Sequence, residues 1–240
     1  MSSDATVTPV AGTGAMTTPH CYNMAEHPSA ASERLALQTA APGYISDNPE
    51  LSAHIMHGLA YTVGSALGCT PPTAETCLQA FLVANKAGLT AGSRAWSKHA
   101  HRSRGEMGPK DLASTSEQGA SGAANDSEER AKQLRAEEES AGWWGAPSGP
   151  VAKINENSLL LFSKIMNGAS WRNLHWLPHQ VLVYEVRVPA GFGMRWSQDR
   201  SQNGGTESEG RETDSKEKPW MFRGFLEPQM ENGHEVGWRH

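Results

Sequence analysis

Apolar side chains recur at helical spacing in three stretches of the chain and alternate with polar ones in a fourth. Leu51, Ile55, Leu59, Val63 and Leu67 repeat behind Asp47-Asn48-Pro49-Glu50. Asp47 or Asn48 can accept from the free amides of a first turn, and Pro49 suits a position that needs no donor. The spacing therefore predicts an amphipathic helix over 49–67, closed by Gly68. Cys77, Leu78, Phe81, Leu82 and Leu89 mark a second helix after Thr70-Pro71-Pro72-Thr73. It runs on, with a break near Gly88 or Gly92, into Arg94–Arg102. A third helix opens at Pro150, carries Val151, Ile154, Leu161, Ile165 and Met166 on one face, and ends near Gly168.

The alternating stretch is QVLVYEVRVP, from Gln180 to Pro189. Leu182, Tyr184, Val186 and Val188 fall on one side; Val181, Val183, Glu185 and Arg187 fall on the other. Such a run of β-branched and aromatic residues predicts a strand. Gly193–Ser197 and Trp220–Leu226 add two more, paired as a hairpin with a lengthened loop. WRNLHWLPH, from Trp171 to His179, reads as a structural corner between the third helix and the central strand. The expected fold class is α+β: two or three helices packed on a small antiparallel sheet.

Composition sets the boundaries. Residues 1–44 are rich in Ser, Thr, Ala and Pro, 103–141 are almost free of apolar side chains, and 198–218 have none. Segments of this kind do not bury a core. The expectation is a disordered tail over 1–44 and one domain over 45–240, interrupted by disordered insertions at 103–141 and 198–218. The three cysteines, Cys21, Cys69 and Cys77, form no CxxC pair, which points to a reducing compartment. The first Lys or Arg is Arg34 and no apolar run is long enough for a bilayer, so the reading is a protein of the cytoplasm or nucleus without a membrane partner.

Several blocks carry a resemblance. AWSKHAHRS (95–103), WWG (143–145), WRNLHWLPH, YEVRVPAGFGMRWS (184–197) and FRGFLEPQMENGHEVGWRH (222–240) are similar to signature blocks of a family of fungal proteins. Plant and algal proteins resemble the chain through the same tail, with a short loop where 198–218 stand here. The resemblance brings no activity, cofactor or catalytic residue with it.

Candidate chemistry comes from histidine, arginine and tryptophan in loop-like segments. His99 with His101, and His175 with His179, are the candidate metal ligands. Pro178 disfavours the helix that the second pair would need, and no recognised ligand spacing is present. Cofactors stay open, with a metal as the lesser reading beside histidines that hydrogen-bond or pack. Glu185 on its strand face needs a partner, and Arg187, Arg195 or Arg223 can supply it. Glu185 or Glu227 with His175 or His234 would make an acid–base pair. No phosphate-loop, dinucleotide or nucleophile-elbow motif occurs. The formal charge is −5, and 143–197 with 219–240 hold seven Lys or Arg against five Glu, so nucleic acid is not expected as a partner.

The leading expectation is an intracellular binding or interaction module. Its cleft would be lined by Trp96, His99, His101, Arg172, His175, His179, Arg195, Arg223 and His234, and would take a small polar or anionic ligand or a peptide. The alternative is an enzyme, with or without a metal, using His99, His101, His175, Glu185, Glu227 and His234. Oligomeric state is left open.

Overall fold

The computed structural model describes residues 17–41, 46–105, 142–201 and 217–230, with 101–105 as backbone only. Most of each expected disordered insertion, and residues 1–16 of the expected tail, lie outside the described residues. Within them are five helices: α1 (Ser29–Thr39), α2 (Pro49–Met56), α3 (Ala74–Leu82), α4 (Ala91–Gly105) and α5 (Val151–Gly168). Four strands, β1 (Trp171–Leu177), β2 (Val181–Arg187), β3 (Gly193–Asp199) and β4 (Met221–Leu226), form one antiparallel sheet in that order. The fold is α+β as expected, with more helices than the pattern implied.

One face of the sheet meets α3, α4 and α5. Leu174, Tyr184, Val186, Trp196 and Phe225 from that face join Phe81, Trp96, Phe162 and Ile165 in a continuous apolar core. Trp196 Nε1 donates to the Cys77 carbonyl at 3.0 Å, so its polar edge is satisfied where its bulk is buried. α4 lies close against α3 and α5 because small residues face the junction. Ser93 Oγ, Ser158 Oγ and Asn155 Oδ1 form a buried hydrogen-bonded set at 2.8 Å. Beside it, a β-carbon on Gly92 would stand 1.9 Å from the Phe81 ring.

Three expectations are corrected here. The first helix stops at Met56 rather than near Leu67. Gly58 takes φ +70°, its amide donates to the Ile55 carbonyl, and the Leu59 amide reaches His54, a full Schellman closure. Leu59 and the residues after it keep helical spacing but run along the outer edge of β1. There Ala60 and Ala66 donate to the Arg172 and Leu174 carbonyls, and Trp176 donates to Gly64. Secondly, WRNLHWLPH is strand β1 plus a short turn, not a corner. Thirdly, α1 lies inside the stretch read as a disordered tail. No apolar stripe advertises it, because it is held by charge: buried Arg34 forks onto Glu26 at 2.7 and 2.8 Å, and Glu26 also accepts from the Tyr61 amide.

Gly92→Ala is expected to destabilise the chain by ~2 kcal/mol or more, because the Phe81 ring is walled in by Phe162, Phe222 and Phe225 and has nowhere to yield. Urea unfolding of the two chains measures it.

Candidate active site on the outer face of the sheet

Strand alternation sends Asn173, His175, Glu185, Arg187, Arg195 and Ser197 to the face turned away from α3–α5. The register sets Asn173, Glu185 and Arg195 side by side across three strands, ending at Gly224 of β4. The next row is His175, Val183, Ser197 and Met221; the row on the other side is Trp171, Arg187, Gly193 and Leu226. Cross-strand neighbours of this kind stand ~5 Å apart at their β-carbons, so the charged groups of adjacent rows are within reach of one another.

Burial across this face is graded. Arg187 is 1% exposed. Its Nη1 donates to the carbonyls of Gly191 at 2.7 Å and Glu227 at 2.9 Å, and its Nε lies 3.5 Å from Glu185 Oε2. Residues 20–23 cross this end: the His20 and Tyr22 amides donate to Ser170 and Pro189, and Cys21 Sγ sits 3.8 Å from the Val188 carbonyl. Towards the opposite end His175, Arg195 and Ser197 are half-buried and Arg223 is exposed. A bulge places Arg223 as the extra residue opposite the Arg195–Trp196 step.

His175 has the most telling environment. Burial pushes its imidazole below the ordinary value of 6.5; the Glu185 carboxylate opposes that, and Arg195 and Arg187 reinforce it. Its Nδ1 is buried without a hydrogen-bond partner. The ring is therefore neutral near pH 7, with a carboxylate and two guanidiniums around it. Such a set can take a proton from a hydroxyl and steady a developing anion. Asn173 completes the row. It is buried, its Nδ2 donates to Thr62 Oγ1 at 3.0 Å, and its Oδ1 accepts from Ser65 at 3.2 Å, fixing the edge of the site.

The cleft expected from the sequence does not form as drawn. His99 lies on the other side of the sheet, among the Trp144 and Phe225 rings, with Nδ1 3.0 Å from Glu227 Oε1. Trp144 Nε1 donates to the same oxygen at 2.7 Å. Trp96 is buried and donates to the Trp144 carbonyl. Arg172 also belongs to the helix side, where it caps the end of α5 through the Met166 and Ala169 carbonyls. His179 occupies a left-handed turn residue at φ 64° and is exposed. The His101 side chain and His234 lie outside the described residues. The structure thus brings together His175, Glu185 and Arg195, with Arg223 nearby, and separates them from His99 and Glu227. Asn173 and the anchoring part played by Arg187 went unread; their shared parity with His175 and Glu185 was the available signal.

Among the described residues no three His, Cys, Asp or Glu side chains converge to hold a metal ion, and His99, His175 and His179 stand apart. The cysteines are poor nucleophiles: burial raises Cys21 and Cys69 and pushes Cys77 up to about 12. Among the described residues no helix is long and apolar enough to cross a membrane.

The fold and face together define an α+β domain whose sheet presents imidazole, carboxylate and guanidinium groups in adjoining rows. Residues 113–207 match a protein-family model described as the CdiA C-terminal tRNase toxin domain. The match covers under half of the chain and is a similarity of that part. Its described portion holds α5, β1, β2 and β3, and with them Asn173, His175, Glu185, Arg187 and Arg195; it leaves out His99 and Glu227. No curated protein and no solved structure matches the chain. The matched family is not the fungal one, and the two resemblances do not conflict. The match does overturn two expectations. A nuclease family stands against a binding module as the function, and against leaving nucleic acid out of the partners. The formal charge of −5 is a sum over the whole chain and does not describe the outer face, where the register sets Arg187 and Arg195 and the bulge adds Arg223.

Unfolded, His175 regains the ordinary value, so the unfolded chain takes up the proton more readily than the folded one. Its contribution to stability is full above 6.5 and is lost as the pH falls towards the lower folded value. An NMR titration of His175 is expected to give a midpoint below 6.5. A His175→Gln chain should lose less stability than the wild type on acidification below that point, read as the urea midpoint.

Proposed function

We propose that the chain is a ribonuclease acting on tRNA, with His175, Glu185 and Arg195 as its reacting set. One observation carries the reading: the segment similar to the tRNase toxin model is the segment whose register gathers those three side chains on one sheet face. The neutral His175 ring is the base for a ribose 2′-hydroxyl. As the proton leaves, the 2′-oxygen bonds to the adjacent phosphorus and the bond from phosphorus to the 5′-oxygen breaks. The leaving oxygen takes a proton from water at the half-open side of the face. The products are a 2′,3′-cyclic phosphate and a 5′-hydroxyl end.

Arg195 pairs with the phosphate oxygens as their charge grows, in the planar geometry that suits guanidinium. Glu185 steadies the imidazolium that forms, while Arg187 holds Glu185 in place. Arg223, exposed on the neighbouring bulge, adds a second phosphate partner. RNA of this class is met in the cytoplasm or nucleus, the compartment expected from the cysteines. The fungal and plant-like blocks at 95–103 and 222–240 bring no activity to this reading. The catalytic unit is one domain in which residues 20–23 and α1 belong with the sheet.

Purified chain incubated with tRNA is expected to release fragments ending in 2′,3′-cyclic phosphate. His175→Ala and Arg195→Ala should each slow this by roughly 100-fold or more, with the circular dichroism spectrum unchanged. tRNA left intact by the folded wild-type chain would overturn the reading.

A further inference from the structure

A second feature lies at the end of the sheet where β1 turns into β2. Trp176 and Leu177 are 41% and 45% exposed, unusual for a tryptophan and a leucine in the middle of a sheet protein. With Gln180 and Arg200 they line a hollow of about 450 Å³. Arg200 is also in the wall of a larger groove, about 1020 Å³, which includes Trp220, Lys218, Gln79 and Thr70. The two spaces share Arg200; Trp176 lines the smaller and Trp220 the larger.

This end adjoins the reacting face. Leu177 shares the parity of His175, two residues before it, and Trp176 points to the opposite face. Of the hollow's walls, Leu177 thus has the parity of the face that carries His175, and Trp176 that of the other face. Its walls are held in place. The Trp176 amide donates to Gly64, and the Arg200 amide donates to the Gln180 carbonyl. Arg200 Nε donates to Gln198 Oε1 at 2.8 Å, and Nη2 lies 3.3 Å from Glu217 Oε1, which fixes the plane of the guanidinium. His179 and Gln180 both hold positive φ, 64° and 57°, a conformation that non-glycine residues rarely adopt in succession.

We infer that this hollow is a base-stacking subsite for the RNA strand flanking the phosphate at His175, with Trp176 as the platform and Arg200 beside it. The identity of the occupant rests on the ribonuclease reading. An exposed indole next to a guanidinium is what a single-stranded base stacks on, whatever its sequence. The volume suits one nucleotide rather than a folded helix. The subsite makes the enzyme prefer unpaired nucleotides next to the cleaved bond, so loops of tRNA rather than its stems are the segments cut.

The test uses a short single-stranded oligoribonucleotide with methylated 2′-oxygens, which binds but cannot be cut by 2′-attack. Binding is read as fluorescence anisotropy of a label on the oligonucleotide. Trp176→Ala is expected to weaken binding ~10-fold and Trp176→Phe by no more than ~3-fold, because a smaller ring still stacks. Arg200→Gln should weaken it and flatten its salt dependence. On tRNA, Trp176→Ala should raise KM and leave kcat within ~3-fold, the reverse of His175→Ala. Equal binding by the wild type and Trp176→Ala would overturn the subsite, as would a wild-type chain that does not bind the oligonucleotide. A chain that binds, loses binding on Trp176→Ala and yet leaves tRNA whole keeps the subsite and removes the ribonuclease.

Discussion

A guanidinium shut away from water needs its charge answered from inside the protein, and Arg187 meets that demand by tying three segments together. One nitrogen draws in the turn after β2, through Gly191, and the chain just past β4, through Glu227. Another faces Glu185. An unpaired buried charge of this kind costs several kcal/mol, so the three segments are held jointly or not at all. The direction of Glu185 on the outer face and the path of residue 227 towards His99 both follow from that one buried group. The outer face is therefore set by the same interaction that closes the end of the sheet.

The two sides of the sheet divide the labour. The helix side is apolar and jigsaw-packed around Phe81 and Trp196, with its few polar groups satisfied in the Ser93–Ser158 set. That rigid backing fixes the register of β1–β3, and the register alone places Asn173, Glu185 and Arg195 in line. His99 and Glu227, rich in suggestive chemistry, turn out to brace Trp144 against the core. Reactive residue types gathered in sequence are thus no guide to which side of a sheet they serve.

What could be read beforehand followed from contrast. β2 was legible because one of its faces is apolar and the other charged, so its period stands out. β1 was not, because both its faces mix polar with aromatic residues: Asn173 and His175 outward, Arg172 and Trp176 inward. The helix over 49–56 was legible at its start, where Asn48 caps Leu51, and overextended at its end. Leu59, Val63 and Leu67 keep a helical period by coincidence, and Val63 is 93% exposed. Gly58 carried the stop. α1 escaped because its tether is an ion pair, which no hydrophobic period reveals. The proposed site was half legible: His175, Glu185, Arg195 and Arg223 are all candidates in the sequence, but His99, carried on α4, lies across the sheet from them.

The outer edges of the sheet are treated differently, and this bears on how the protein behaves at high concentration. Residues 60–66 already occupy the hydrogen-bonding groups along β1, so that side offers little to a passing strand. On β4 the ladder is broken by the extra residue at Arg223, which bears a positive charge outward, and by Gly224. A kinked, charged rim repels its own copy and resists stacking into fibrils, so neither edge of the sheet invites a second molecule to extend it.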